Sequence, residues 1–290
     1  MAARTKALIF AAFVLVFAWP AAQPAGRAQA RPTRIVSIVP SVTEMLFAMG
    51  AGPRVVGVSS FDRYPLEVVN RPRVGGLIDP DVERIIALRP DLVVVYGTQT
   101  DLRMQMQRAG IPIFPYEHSG LADITRTIRQ IGESVGSPRE GEALATRIES
   151  DISAIRKLVS GRPRPRTLLV FGRDADTLRG IYASGAIGFL SDVLDAAGGI
   201  NVFADVQRQS LQATTEMVIA RAPEVIVEIG ADTASTKIRN LAAWNAIESV
   251  PAVRNRRVYL LTGDEMMNPG PRVTGSLRRI AEVLHPEAFR

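Results

Sequence analysis

Residues 83–97 read ERIIALRPDLVVVYG, and residues 216–230 read EMVIARAPEVIVEIG. The two stretches align without a gap, and six of fifteen positions are identical: Glu, Ile, Ala, Pro, Val and Gly. Each copy reads as a short helix, a turn around a proline, and a strand. The helix stops before Pro90 and Pro223, because proline disfavours helical geometry in the residue before it. The runs 92–95 and 225–227 are apolar and β-branched, the composition of a strand covered on both faces. A unit that occurs twice predicts a molecule built in two similar halves.

The flanking sequence extends the match. Residues 34–39 (RIVSIV) and 167–171 (TLLVF) are apolar strands that open each half. Residues 41–49 follow the first as a helix, with Ser41 and Glu44 at the spacing of a capping box and Gly50 as its stop. The second half has a helix over 187–197, ended by Gly198 and Gly199. Each repeat is followed by a helix and a further strand, at 111–114 and 257–261. The fold class is therefore α/β, with two Rossmann-like lobes of mainly parallel sheet. Between the lobes, Ser137 is placed to cap a helix with Pro138 in its first turn. Leu144, Ile148, Ile152, Ile155 and Leu158 continue at helical spacing. The expected division is residues 31–136 for the N-terminal lobe, 137–160 for one long connecting helix and 161–290 for the C-terminal lobe. Lobes joined this way leave a crevice, and inter-domain crevices are preferred ligand sites.

Residues 1–30 have the order of a cleavable secretory signal peptide: Arg4 and Lys6, an uncharged apolar run over 7–19, then Ala28-Gln29-Ala30. That run is shorter than the ~20 residues of a membrane-spanning helix. The expected location is the periplasm. The 290 residues include no cysteine, so neither disulfides, nor Cys-ligated metal, nor a lipidated N-terminal cysteine is expected. Without residues 1–30 the chain keeps 32 basic and 29 acidic residues, a net charge of +3. No basic run interleaved with aromatics points to nucleic acid, and a monomer is expected.

Enzyme signatures do not appear. The sequence contains no G-x-S-x-G elbow, no Walker loop and no G-x-G-x-x-G. His118 follows a strand end and reads as a surface-loop residue, while His285 lies in the tail. No nucleophile, base and orienting group occur together, so the reading is not an enzyme, with neither cofactor nor metal.

The segments RIVSIVPSVTEMLFAMG, VGVSSFDRYP, DVERIIALRPDLVVVYG, TTEMVIARAPEVIV and LLTGD with PGPRV occur in an order that resembles the cobalamin/iron-siderophore periplasmic binding proteins of ABC importers. This is the helical-backbone class, and the resemblance covers nearly all of residues 34–284. It is nearest to the cobalamin-binding branch. It implies a bound cobalamin or other corrinoid as cargo, little lobe movement on binding, and docking of Glu83 and Glu216 on two ABC permease subunits. Both acids also suit the positive ends of their helices, with Asp79-Pro80 and Thr214 as the caps upstream. An aromatic cleft is implied at Phe61 and Tyr96, with Asp264 and Arg272 at matching positions. Leu77, Ser210 and Glu265 stand where the cobalamin branch has Trp, and Met266 with Met267 would supply adaptable apolar contact instead. Arg63 and Arg173 are further ligand-contact candidates, able to pair with carboxylates or meet corrin amides. A ferric siderophore or haem is the alternative cargo, motivated by the absent tryptophans and by Arg63, Arg173, Tyr116 and His118. A carboxylate-using enzyme and a sensory receptor are the readings outside transport.

Overall fold

The computed structural model describes residues 31–231, 233 and 240–290. The signal peptide expected over residues 1–30 lies outside them. Among the described residues, no helix is long and apolar enough to cross a membrane.

The first lobe opens with β1 (Ile35–Ser37), α1 (Pro40–Ala48) and β2 (Val55–Val58), and continues with α2 (Val82–Ala87), β3 (Leu92–Tyr96), α3 (Thr100–Arg108) and β4 (Ile113–Tyr116). Its sheet has the order β2-β1-β3-β4 and every pairing is parallel. Then α4 (Leu121–Ser134) and the 22-residue α5 (Pro138–Val159) run along the back. At 1.5 Å per residue α5 is about 33 Å long. The second lobe contains β5 (Arg166–Gly172), β6 (Ile181–Ser184), α6 (Phe189–Ala196), β7 (Ile200–Asn201) and β8 (Ser210–Ala213). It ends with α7 (Thr215–Arg221), β9 (Val225–Gly230), α8 (Pro251–Arg254), β10 (Val258–Thr262) and α9 (Val273–Leu284). The strand order is β10-β9-β5-β6-β8. Here β10, β9 and β5 are parallel, whereas β6 pairs antiparallel with both β5 and β8. The mainly parallel expectation thus holds fully in the first lobe, while the second adds an antiparallel edge. IYAS and SLQA are too short and too polar to read as buried strands beforehand.

The sequence repeat is a structural repeat. β1 carries β3 as β5 carries β9, in parallel register. The proline turn is the same in both lobes: Arg89 and Ala222, directly before the prolines, have φ of 47° and 46°. The Arg34 guanidinium donates to the carbonyl of Leu88 at 2.7 Å, and the Arg166 guanidinium donates to that of Arg221 at 2.7 Å. Each arginine thereby supplies donors to the carbonyls left free at a helix end.

Residues 31–290 form one compact unit. A single hydrophobic cluster runs from the first sheet through Ile148, Ile152 and Ile155 of α5 to Phe189 and Val193 of α6 and Leu277 of α9. A second cluster around Phe203 and Trp244 lies in the second lobe. The lobes therefore share packed core along the helix, which resists bending because close-packed interiors deform little.

Three expected caps differ. Val39, not Ser41, precedes α1 and makes no side-chain cap; Pro40 occupies the first turn, and Ser41 and Glu44 are both buried. Asp81, not Asp79, caps α2 by accepting the Arg84 N–H at 2.9 Å. Ser137 precedes α5, but its hydroxyl is taken by Arg31 at 3.2 Å and Arg54 at 3.4 Å. Thr214 caps α7 as read, accepting from Met217 N–H at 3.3 Å.

Candidate functional site

Parallel strands deliver side chains to the crevice beyond their carboxyl ends. The last residues of β3 and β4, Tyr96 and Tyr116, are register partners. Their rings meet edge to face with centroids 6.1 Å apart. His118, just past β4, stacks on Tyr116 at 6.1 Å and meets Phe189 of α6 edge-on at 5.8 Å. This aromatic series is therefore wedged between the two lobes.

Around it lies a cavity of about 800 Å³, in the range of small-molecule sites. The first lobe lines it with Phe61, Arg63, Tyr64, Tyr96, Tyr116 and His118, among others. The second contributes Ala231, Asp264, Met267, Asn268, Pro269 and Arg272. Phe61 is 66% exposed, so its ring is not held by core packing. Its loop is nevertheless fixed from beneath. The Asp62 carboxylate accepts the Ser59 N–H at 2.7 Å, and Arg73 donates to the carbonyls of Ser59 and Asp62 at 2.9 and 2.7 Å. Asp62 is buried, and burial pushes its carboxyl up to about 7 against the pull of these groups.

The electrostatics divide the wall. Burial raises the Tyr96 hydroxyl, with Asp62 adding to the effect, and pushes Tyr116 up to about 12. Burial lowers His118, against the opposing influence of Asp123 and Asp192. At neutral pH the aromatic series is thus uncharged. Charge is concentrated where α1 faces the second lobe. Glu44 accepts from Arg272 at 2.6 and 3.0 Å and from Asn268 at 2.7 Å. Arg272 also reaches Glu265 at 3.3 Å and lies 3.9 Å over the Tyr64 ring. Two side chains separated by 228 positions in the chain form a bidentate, charge-assisted pair across the crevice. A second tie runs nearer α5, where Asp192 of α6 accepts the Leu121 N–H at the start of α4 at 2.8 Å.

Phe61, Arg63, Tyr96 and Asp264 therefore sit around one cavity, as does Arg272. Arg173 and Met266 do not, which corrects their expected place. The Arg173 side chain is fully buried, paired with Glu228 at 2.7 Å. It donates to the carbonyls of Asp174, Ala175 and Asn240, and stands 5.8 Å from the centroid of Trp244. A buried acid on β9 has drawn the arginine inward, since an interior carboxylate needs a partner. Met266 is 1% exposed and Met267 is 42% exposed, so the neighbouring methionine lines the cavity instead. Leu77, Ser210 and Glu265 are outside the lining; Glu265 pairs with Arg272 and Arg279. Sequence reading missed Glu44, assigned to a cap; it read His118 as a surface-loop residue and named it, with Tyr116, only for the iron-bearing alternative. A glutamate on an otherwise buried helix face was the available signal for the first. Glu83 and Glu216 are exposed on the first turns of α2 and α7, away from the cavity. Among the described residues, no group of three or more His, Asp and Glu is placed to hold a metal ion.

Two compact α/β sheets flanking an aromatic cavity define a two-lobed binding protein. The chain belongs to the periplasmic binding protein family, whose profile matches residues 35–265. It is similar to the uncharacterized ABC transporter substrate-binding lipoprotein YvrC of Bacillus subtilis (strain 168), at 29% identity over 267 residues, covering 89% of this chain and 82% of the relative. It is also similar to the vitamin B12-binding protein of Vibrio parahaemolyticus, at 28% identity over 252 residues, with 86% and 88% covered. Among solved structures, the apo periplasmic heme-binding protein RhuT of Roseiflexus sp. RS-1 superposes with a TM-score of 0.75 at 28% identity, covering 88% of this chain and 98% of that one.

Proposed function

We propose that this chain is the periplasmic substrate-binding component of an ABC importer, and that its cargo is cobalamin or a related corrinoid. The observation that carries the reading is the aromatic inter-lobe cavity of about 800 Å³, in a chain whose similarity to a vitamin B12-binding protein covers 88% of that relative. A flat macrocycle rimmed by amides suits uncharged aromatic walls with a few polar groups at the edge. The corrinoid is cargo, not cofactor, and the protein performs no catalysis on it. The export signal over residues 1–30 would deliver the chain to the periplasm by cleavage. The sequence has no cysteine, so the reading is cleavage of this leader without lipidation of a cysteine.

Binding occurs with little lobe movement, because both lobes are packed on α5 and tied by Glu44 and Asp192. The loaded protein then docks through Glu83 and Glu216 on two permease subunits. Complementary charge at such contacts governs register and association rate more than affinity. A haem or ferric siderophore is the second reading, favoured by the His118 ring nitrogens, which have no hydrogen-bond partner among the described residues, and by the Tyr116 hydroxyl, both at the cavity wall. Both are atoms that ligate iron. Calorimetric titration with cyanocobalamin, haem and a ferric siderophore separates the two. One-to-one binding of cyanocobalamin is expected; binding of an iron chelate alone moves the cargo to iron.

A further inference from the structure

Among the described residues, the cavity contains one cation that no side chain neutralises. Of its two guanidinium groups, Arg272 is fully committed to Glu44, Glu265 and the Tyr64 ring. Arg63 is exposed to the cavity and has no ion-pair or hydrogen-bond partner among the described residues. It does not hang on a loose loop. The preceding residues are held by the Ser59 N–H on Asp62, by the Phe61 N–H on the Ser59 hydroxyl at 3.2 Å, and by Arg73 on two carbonyls. A fixed loop presents its guanidinium with little ordering left to do on binding. The remaining charged side chains at the wall, Glu117 and Asp264, are likewise without ion-pair partners among the described residues. The site therefore asks for one anionic group opposite Arg63 and neutral N–H donors opposite the acids.

We infer that Arg63 is the specificity determinant that recognises a phosphate on the cargo, so that the protein prefers corrinoids carrying the phosphate of the nucleotide loop. This rests on the corrinoid reading above. A corrinoid brings neutral amides around the ring and a single phosphate, matching the wall in sign and number. Haem brings two carboxylates from one edge and no peripheral N–H donor for Glu117 or Asp264. Arginine suits phosphate because its planar fork donates two parallel hydrogen bonds.

The test is titration of the full-length chain, expressed with its leader and purified after export, with cobinamide and with cobinamide phosphate. These two differ only in the phosphate. The phosphate should tighten binding by about tenfold. Arg63→Ala should reduce that factor to about one, whatever the change in affinity the two ligands share, and Arg63→Lys should keep part of it. Added salt should weaken only the phosphorylated ligand. Equal affinity for the two ligands in the native protein overturns the inference and leaves the corrinoid reading intact, as does an undiminished factor in Arg63→Ala. Failure of both corrinoids to bind breaks the corrinoid reading itself. If haem then binds, and binds better than its dimethyl ester by a factor that Arg63→Ala removes, the anion at Arg63 is a carboxylate and the phosphate assignment is wrong.

Discussion

The two lobes use one fifteen-residue unit, and they treat its two ends differently. At the outer end the lobes are alike. A helix of six or seven residues stops at a residue in left-handed backbone before a proline, and an arginine from the opening strand meets its last carbonyls. An acid after the proline, Asp91 or Glu224, then accepts the backbone N–H of that arginine, Arg34 at 2.8 Å or Arg166 at 2.7 Å. At the inner end they diverge. Val95 is buried hydrocarbon, whereas its counterpart Glu228 is a buried acid bound to Arg173 and, at 2.5 Å, to the Trp244 indole N–H. Tyr96 lines the cavity, whereas its counterpart Ile229 is core. The outer end answers to backbone chemistry, which is the same wherever a strand must follow a helix. The inner end answers to the cleft, where one lobe supplies an aromatic wall and the other an ion-paired base.

The comparison can be broken or sharpened experimentally. The largest effect is expected where the outer ends act together. Replacing Glu83 and Glu216 with Ala should abolish transport in an uptake assay and leave ligand affinity unchanged, with each single change retaining partial uptake. Transport surviving the double change would remove the docking role from the repeat. Next is the inner end. Glu228→Val strands a buried arginine and should cost about 3–5 kcal/mol in urea unfolding. The same change with Arg173→Met should recover most of it. A smaller contrast concerns the two acids. Asp91 accepts Thr33 N–H, Thr33 hydroxyl and Arg34 N–H at 2.7, 2.8 and 2.8 Å, whereas Glu224 accepts the single Arg166 N–H noted above. Asp91→Asn should therefore cost about 1–2 kcal/mol, and Glu224→Gln less. Burial alone would raise the Asp91 carboxyl, yet these donors hold it below its ordinary value of 3.8. Its contribution is thus complete above about pH 4 and is lost as pH falls further. Unfolding followed from pH 6 to 2 should show that loss flattened in the Asn variant. The smallest effect is at the turn: Arg89→Gly and Ala222→Gly should each stabilise by up to about 1 kcal/mol, and equally, because both relieve a left-handed side-chain-bearing residue.

Much of this molecule is determined by local sequence. The repeat, the apolar strands and the long amphipathic helix 138–159 specify two α/β lobes on one connector, because periodicity and proline act over a few residues. Phe61, Arg63, Tyr96 and Asp264 were placed in the crevice by the family resemblance, and Phe61 and Tyr96 also by lying at or just past strand ends. The antiparallel edge of the second sheet was not legible, since IYAS and SLQA become strands only through partners already in place. Nor was the fate of the charged residues. Glu44 has the spacing of a cap, yet its partners are Arg272 and Asn268, more than 220 positions away. Arg173 follows a strand end like Tyr96, but a buried Glu228 on the neighbouring strand takes it from the cavity. Met266 and Met267 are adjacent and chemically identical, and only the turn before α9 decides which one faces the ligand space. Backbone preferences are short-ranged and can be read from the chain. Which charge meets which, across a crevice closed by distant segments, is set by the tertiary structure, because an ion pair depends on distance in space and not on distance along the sequence.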